Sequence, residues 1–130
     1  MKFAELVQSS DWKTEKHVPV IEAPETVKAG ESITVKVAVG KEISHPNTTE
    51  HHIRWIKLYF KPEGGKFAYE VAGFDFTAHG ESVDGANKGP VYTEPAAIAA
   101  IKLSVSGTLV AAAYCNIHGL WENFQVVKVS

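Results

Sequence analysis

Cysteine is almost absent, Cys115 being the only one among 130 residues. With no partner it forms no internal disulfide, and the lack of a second thiol also excludes a Cys-x-x-Cys redox pair and a four-cysteine metal site. Methionine is as scarce, with Met1 alone. No apolar run approaches the ~20 residues of a membrane-spanning helix. Met1 to Asp11 carry acidic and polar groups in place of the basic start and apolar middle of a secretory leader. Those absences, with the single thiol, point to the cytoplasm. An excess of positive charge is missing too: 13 Lys and Arg stand against 15 Asp and Glu, net -2. Neither nucleic acid nor an anionic membrane is therefore an expected partner. Asn47-Thr48-Thr49 matches a glycosylation sequon, which carries no weight without a leader.

What is present suits one folded domain over residues 1–130. Apolar residues make up 45% and charged residues 22%, enough to bury a core. Residues 31–39 (ESITVKVAV) set Ile33, Val35, Val37 and Val39 against polar or small neighbours, the alternation of a half-buried strand. Residues 52–60 (HIRWIKLYF) alternate Ile53, Trp55, Lys57 and Tyr59 with Arg54, Ile56, Leu58 and Phe60, which predicts a strand with apolar contact on both faces. Further β-like runs occupy 66–71, 73–78, 98–105, 108–115 and 123–129.

Turn signals separate these runs at 62–65, Asp84-Gly85, 88–90 and Ser106-Gly107, the last predicting a tight hairpin between 98–105 and 108–115. No stretch beyond a turn or two shows helical period with caps. About seven short strands at this spacing predict an all-β, immunoglobulin-like antiparallel β-sandwich.

Six histidines occur, at 17, 45, 51, 52, 79 and 118, most of them beside turn signals. Loops at the ends of a rigid sandwich converge in space, so histidines there can share a metal. Cys115-Asn-Ile-His118 places a thiol and an imidazole three residues apart, within reach of one ion from a single turn. A cupredoxin-like copper electron carrier uses two histidines, one cysteine and a weak axial methionine. The only methionine here is Met1, which weakens copper, although a glutamine or backbone oxygen could substitute. An excess of imidazoles favours non-haem iron, and a metal-free binding sandwich stands as a third alternative.

Three separated segments, EKHVP (15–19), SHPNTTEHHIRWIKLYF (44–60) and YCNIHGLWEN (114–123), resemble in identity and order the superoxide reductases of the single-centre type also called neelaredoxins. The resemblance runs over nearly the whole chain. It implies one mononuclear non-haem iron per chain, held by the imidazoles of His17, His45, His51 and His118 with Cys115 as axial thiolate. His52 is left out, because neighbouring side chains of an extended segment point apart, and His79 is left as a structural or surface histidine.

The resemblance further implies catalytic roles for Glu15, as a ligand of the resting ferric iron, and for Lys16, which draws in the superoxide anion. An iron with four neutral imidazoles and one thiolate keeps a net positive charge in the ferrous state, and the thiolate donates electron density to it. The implied reaction reduces superoxide by one electron to hydrogen peroxide without releasing oxygen. With no second cysteine to hold another redox centre, the electron is expected from a partner, which the resemblance implies is rubredoxin-like. Single-domain relatives are usually homotetramers, and no extra N-terminal iron domain on four cysteines is present.

Overall fold

The computed structural model describes residues 1–130 and is all-β. After a single 3-10 turn at Phe3–Leu6 come β1 (Val7–Gln8), β2 (Pro19–Glu22), β3 (Thr26–Val27), β4 (Ser32–Val39), β5 (Ile53–Pro62), β6 (Tyr69–Asp75), β7 (Ala96–Lys102), β8 (Gly107–Cys115) and β9 (Gly119–Val129). Two sheets face each other. The larger runs β1-β9-β8-β5-β6, with β3 also on β9, and the smaller runs β2-β4-β7. Apart from two-residue parallel pairings of β1 and β3 with β9, every ladder is antiparallel. The immunoglobulin-like sandwich expected from the strand spacing is what forms.

Period-two patterning builds the core. In β4, Ile33, Val35, Val37 and Val39 are buried. In β8, Gly107, Leu109, Ala111, Ala113 and Cys115 face in, while Thr108, Val110, Ala112 and Tyr114 face out. Cys115 thereby joins the 17-residue apolar core as its last inward position on that strand. Along β5 the inward set is Ile53, Ile56, Leu58 and Phe60. Ile53 and Ile56 share a face because a bulge between Ile53 and Trp55 adds a residue and shifts the alternation.

Two expectations are corrected. The hairpin at Ser106-Gly107 does not form: β7 pairs only with β4, β8 pairs with β5 and β9, and the 103–106 segment carries the chain from one sheet to the other. Gly107 serves a close approach instead. A Cβ there would meet the Phe60 ring and the Lys61 carbonyl oxygen. The runs 66–71 and 73–78 merge at their inner ends into one strand, β6, which passes through Gly73 without a turn, while 66–68 and 76–78 lie outside it.

Gly107→Ala should therefore destabilise the fold by about 2 kcal/mol, the cost of overpacking a filled core. Urea unfolding measures it, and an unchanged midpoint would show that β5 yields freely at Phe60.

Candidate metal centre

Three loops meet at one end of the sandwich. His17 lies in the turn entering β2, His45 and His51 in the β4–β5 connection, and Cys115 and His118 in the turn joining β8 to β9. Each loop is fixed locally. Thr14 and Glu15 donate their amides to the Asp11 carbonyl, closing the turn that presents His17. Gly40 adopts φ +86 where a Cβ would strike the His45 amide, so only glycine lets the chain fold back here without strain. Cys115 pairs with Gly119 across the β8–β9 turn, and the His118 amide points at Cys115 Sγ, 3.4 Å away.

The four imidazoles form a nearly square circuit. Ring centroids are separated by 4.9 Å for His17–His45, 4.8 Å for His45–His51, 5.0 Å for His51–His118 and 4.7 Å for His118–His17. The His17–His51 diagonal is 6.4 Å. Ligand atoms of His17, His45, His51 and Cys115 lie within 4.8 Å of one another. His118 completes the circuit through Nδ1, which is 3.1 Å from His17 Nε2 and 3.8 Å from Cys115 Sγ. Two nitrogen donors each ~2.1 Å from one metal and at right angles to it lie ~3 Å apart. The spacing fits a shared ion.

Outer partners set the tautomers. His17 Nδ1 donates to the Glu15 carboxylate at 2.6 Å, and His45 Nδ1 donates to the Pro46 carbonyl at 2.6 Å, so in each neutral ring Nε2 carries the inward lone pair. His45 Nε2 and His51 Nε2 are buried with no hydrogen-bond partner. Groups of that kind are rare in folded proteins. His79 Nε2 is also unpartnered, but no other donors converge on it. Convergence separates the two cases: bare nitrogens aimed at a common point beside a thiol are what a metal ion satisfies.

Burial is graded across the group. Cys115 is sealed, His17 and His45 are buried, His51 is half-buried and His118 is exposed. Trp121, itself buried, stacks on His17 at 5.0 Å and donates its indole N–H to the His118 carbonyl. The thiol thus faces the core, and the exposed side of the circuit opens near His118.

Of the two catalytic candidates, Glu15 sits on the outer side of His17, its carboxylate also accepting the His17 amide at 3.1 Å. Burial works to raise its pKa, but hydrogen bonds from His17 and the charges of His17 and Lys16 outweigh it and hold the carboxyl below 4.5. Lys16 is half-buried and close enough for its charge to help depress both His45 and His51. His52 points away from the centre, stacked face to face on His79 at 3.5 Å and 7°. His79 is not a surface residue, being 3% exposed.

Asn116, Trp121 and Gly40 went unnoticed in the sequence as parts of the site. Trp121 and Asn116 lie inside YCNIHGLWEN, so the signal was proximity to the ligands. Nothing local marked Gly40.

The Desulfoferrodoxin family model matches residues 9–124. The chain is 58% identical over 129 residues to the neelaredoxin of Megalodesulfovibrio gigas, covering 99% of each chain. It is 61% identical over 120 residues to the superoxide reductase of Pyrococcus furiosus, covering 92% of this chain and 94% of that one. Among solved structures, the superoxide reductase (neelaredoxin) of Archaeoglobus fulgidus in the reduced form superposes with a TM-score of 0.88 at 57% identity, over 95% of this chain and 98% of that one.

In the metal-free protein, burial above all holds His45 at about 4, below the ordinary 6.5, with His17, His51 and Lys16 adding to the shift and the Pro46 carbonyl opposing it. Between those values the unfolded chain takes up a proton that the folded chain refuses. Stability should be intact above 6.5 and fall as pH drops toward 4. Urea midpoints of metal-free protein at about pH 7 and about pH 5 should show that loss, and His45→Asn should reduce it. Equal losses in both proteins would remove His45 from the account.

Proposed function

The chain belongs to the Desulfoferrodoxin family, and we propose that it is a superoxide reductase, an oxidoreductase that converts superoxide to hydrogen peroxide in defence against oxidative stress. The observation that carries this function is the square of imidazoles closed over a buried thiol, with two inward Nε2 atoms left bare. His17, His45, His51, His118 and Cys115 would hold a single iron. Bound there, iron supplies the electron that reduces superoxide.

The remaining work falls to side chains. Neutral imidazoles leave the centre with net positive charge, and the buried thiolate tempers it from the side away from solvent. Lys16 adds a cationic charge beside the exposed edge, attracting the anion and stabilising charge that gathers on its oxygens as it is reduced. Glu15, held by His17 in this arrangement, carries the charge that would suit it to an oxidised iron. While Glu15 is held there, the solvent side stays free for superoxide.

Copper is not supported. A cupredoxin-like site would use two imidazoles with an axial methionine, whereas four imidazoles converge here and Met1 is 97% exposed. With no second thiol to build another centre, electrons must come from a separate donor, which the family resemblance makes a rubredoxin-like protein. No helix is long and apolar enough to cross a membrane, and the proposed location is the cytoplasm. A homotetramer is the proposed assembly, supported by apolar side chains on the outer face of the larger sheet, where Phe124 is 66% and Val126 46% exposed.

Rapid mixing of iron-loaded, reduced protein with superoxide tests both activity and steering. Lys16→Ala should slow the second-order step by about threefold to tenfold at low salt and flatten its dependence on ionic strength. An unchanged rate and salt slope would refute the steering role, and no reaction of the parent protein would refute the function.

A further inference from the structure

Asn116 stands between two ligands, Cys115 and His118, but its side chain turns to a different loop. Its Nδ2 donates to the Glu50 carbonyl at 2.8 Å, and its Oδ1 accepts the His52 amide at 2.9 Å. Its own amide donates to the His52 carbonyl at 3.2 Å. The carboxamide therefore grips the peptide groups on both sides of His51. His51 lies in a bend over residues 48–51, and with the peptide group on each side of it held, the orientation of its Cα, and with it the direction in which its side chain projects, is set.

The geometry points to Asn116 as the positioning residue that couples the thiolate turn to the His51 loop. The main-chain ladder between β5 and β8 ends at Ile53 and Cys115. Asn116 continues it, first with its backbone amide and then with its side chain, where the two loops would otherwise separate. Only a primary amide offers a donor for a carbonyl and an acceptor for an N–H on one short planar group. Glutamine would place that group a methylene too far, and aspartate would set an oxygen against the Glu50 carbonyl.

The assignment rests on the five-ligand centre proposed above and adds how its span is fixed. Outer partners that hold a ligand in place contribute 10–100-fold to metal affinity where they have been replaced. The His51 loop is also held from the opposite side: Asn87 Oδ1 accepts the Thr49 amide at 2.7 Å and Asn87 Nδ2 donates to the Glu50 carboxylate at 2.9 Å. Asn87 makes no contact with the Cys115–His118 turn in this network, so it orders the loop without tying it to the thiolate. That difference separates coupling from general loop order.

The test compares Asn116→Leu, which keeps the branched shape and deletes both side-chain bonds, with Asn87→Gly, which deletes the outer clamp and tolerates the φ of 63 at that position. Iron-loaded proteins are challenged with a ferrous chelator, the ferric absorption band from thiolate to iron is recorded, and amide exchange is followed in the metal-free proteins. Asn116→Leu should release iron at least about tenfold faster and shift the thiolate band. The His52 amide should exchange faster while the Val35 and Leu109 amides stay protected, showing that the sandwich is folded. Asn87→Gly should leave the band in place. Unchanged iron release and His52 protection in Asn116→Leu, or an equal band shift in Asn87→Gly, would overturn the role of Asn116. A parent protein that retained no iron would instead overturn the five-ligand centre, with His52 exchange still reporting on the bracket.

Discussion

Leaving a buried imidazole nitrogen without a partner costs on the order of 1–3 kcal/mol, and of the three in this fold two, on His45 and His51, belong to the converging group. The Pro46 carbonyl occupies the far nitrogen of His45, so that ring cannot relieve its inward lone pair by shifting its proton without losing a hydrogen bond, and the Glu15 carboxylate holds the His17 ring in the same tautomer. Burial pushes the pKa of His45 and His51 down, which closes protonation as a second escape near neutral pH. A cation accepting several lone pairs at once is the chemical answer to that arrangement, and the adjacent thiol marks it as a transition-metal site.

The sandwich supplies the rigidity that this demands. Strand alternation alone brings Cys115 to the core face at the last residue of β8, while the bulge near Arg54 lets β5 keep Ile53 inward at the same level. The loops then need only local fixings: a glycine fold-back before His45, an indole against His17, and the Asn116 carboxamide across the His51 peptides. Charge and burial follow the same axis. The apolar core covers the thiol, His118 is the exposed member of the circuit, and the charge of Lys16 reaches His45 and His51.

Much of the site was legible in the sequence because its parts lie in short, ordered motifs. EKH, EHH and CNIH sit close to strand ends and SHPN lies within the β4–β5 connection, and the structure brings all five proposed ligands together. Residues 31–39 and 108–115 also read cleanly as strands, since one buried face gives plain alternation. Sheet assignment did not read from local signals. Ser106-Gly107 looks like a hairpin turn, yet whether a turn joins neighbours or crosses between sheets depends on β4 and β5, which are far away in sequence. The pairings of β1 and β3 with β9 were invisible for a related reason: two-residue strands have too little pattern to register. His79 is buried among contacts distant in sequence, the stack on His52 and the bridge to Tyr92, and Asn116 looked like an ordinary turn residue until its partners were in place.

Product stoichiometry tests the central claim most directly. Superoxide is added without oxygen to iron-loaded, fully reduced protein, and oxidised iron, peroxide and oxygen are measured together. The expected result is one iron oxidised and one peroxide formed for each superoxide consumed, with no protein-dependent oxygen. Catalytic oxygen release, or an iron that superoxide leaves reduced, would contradict it.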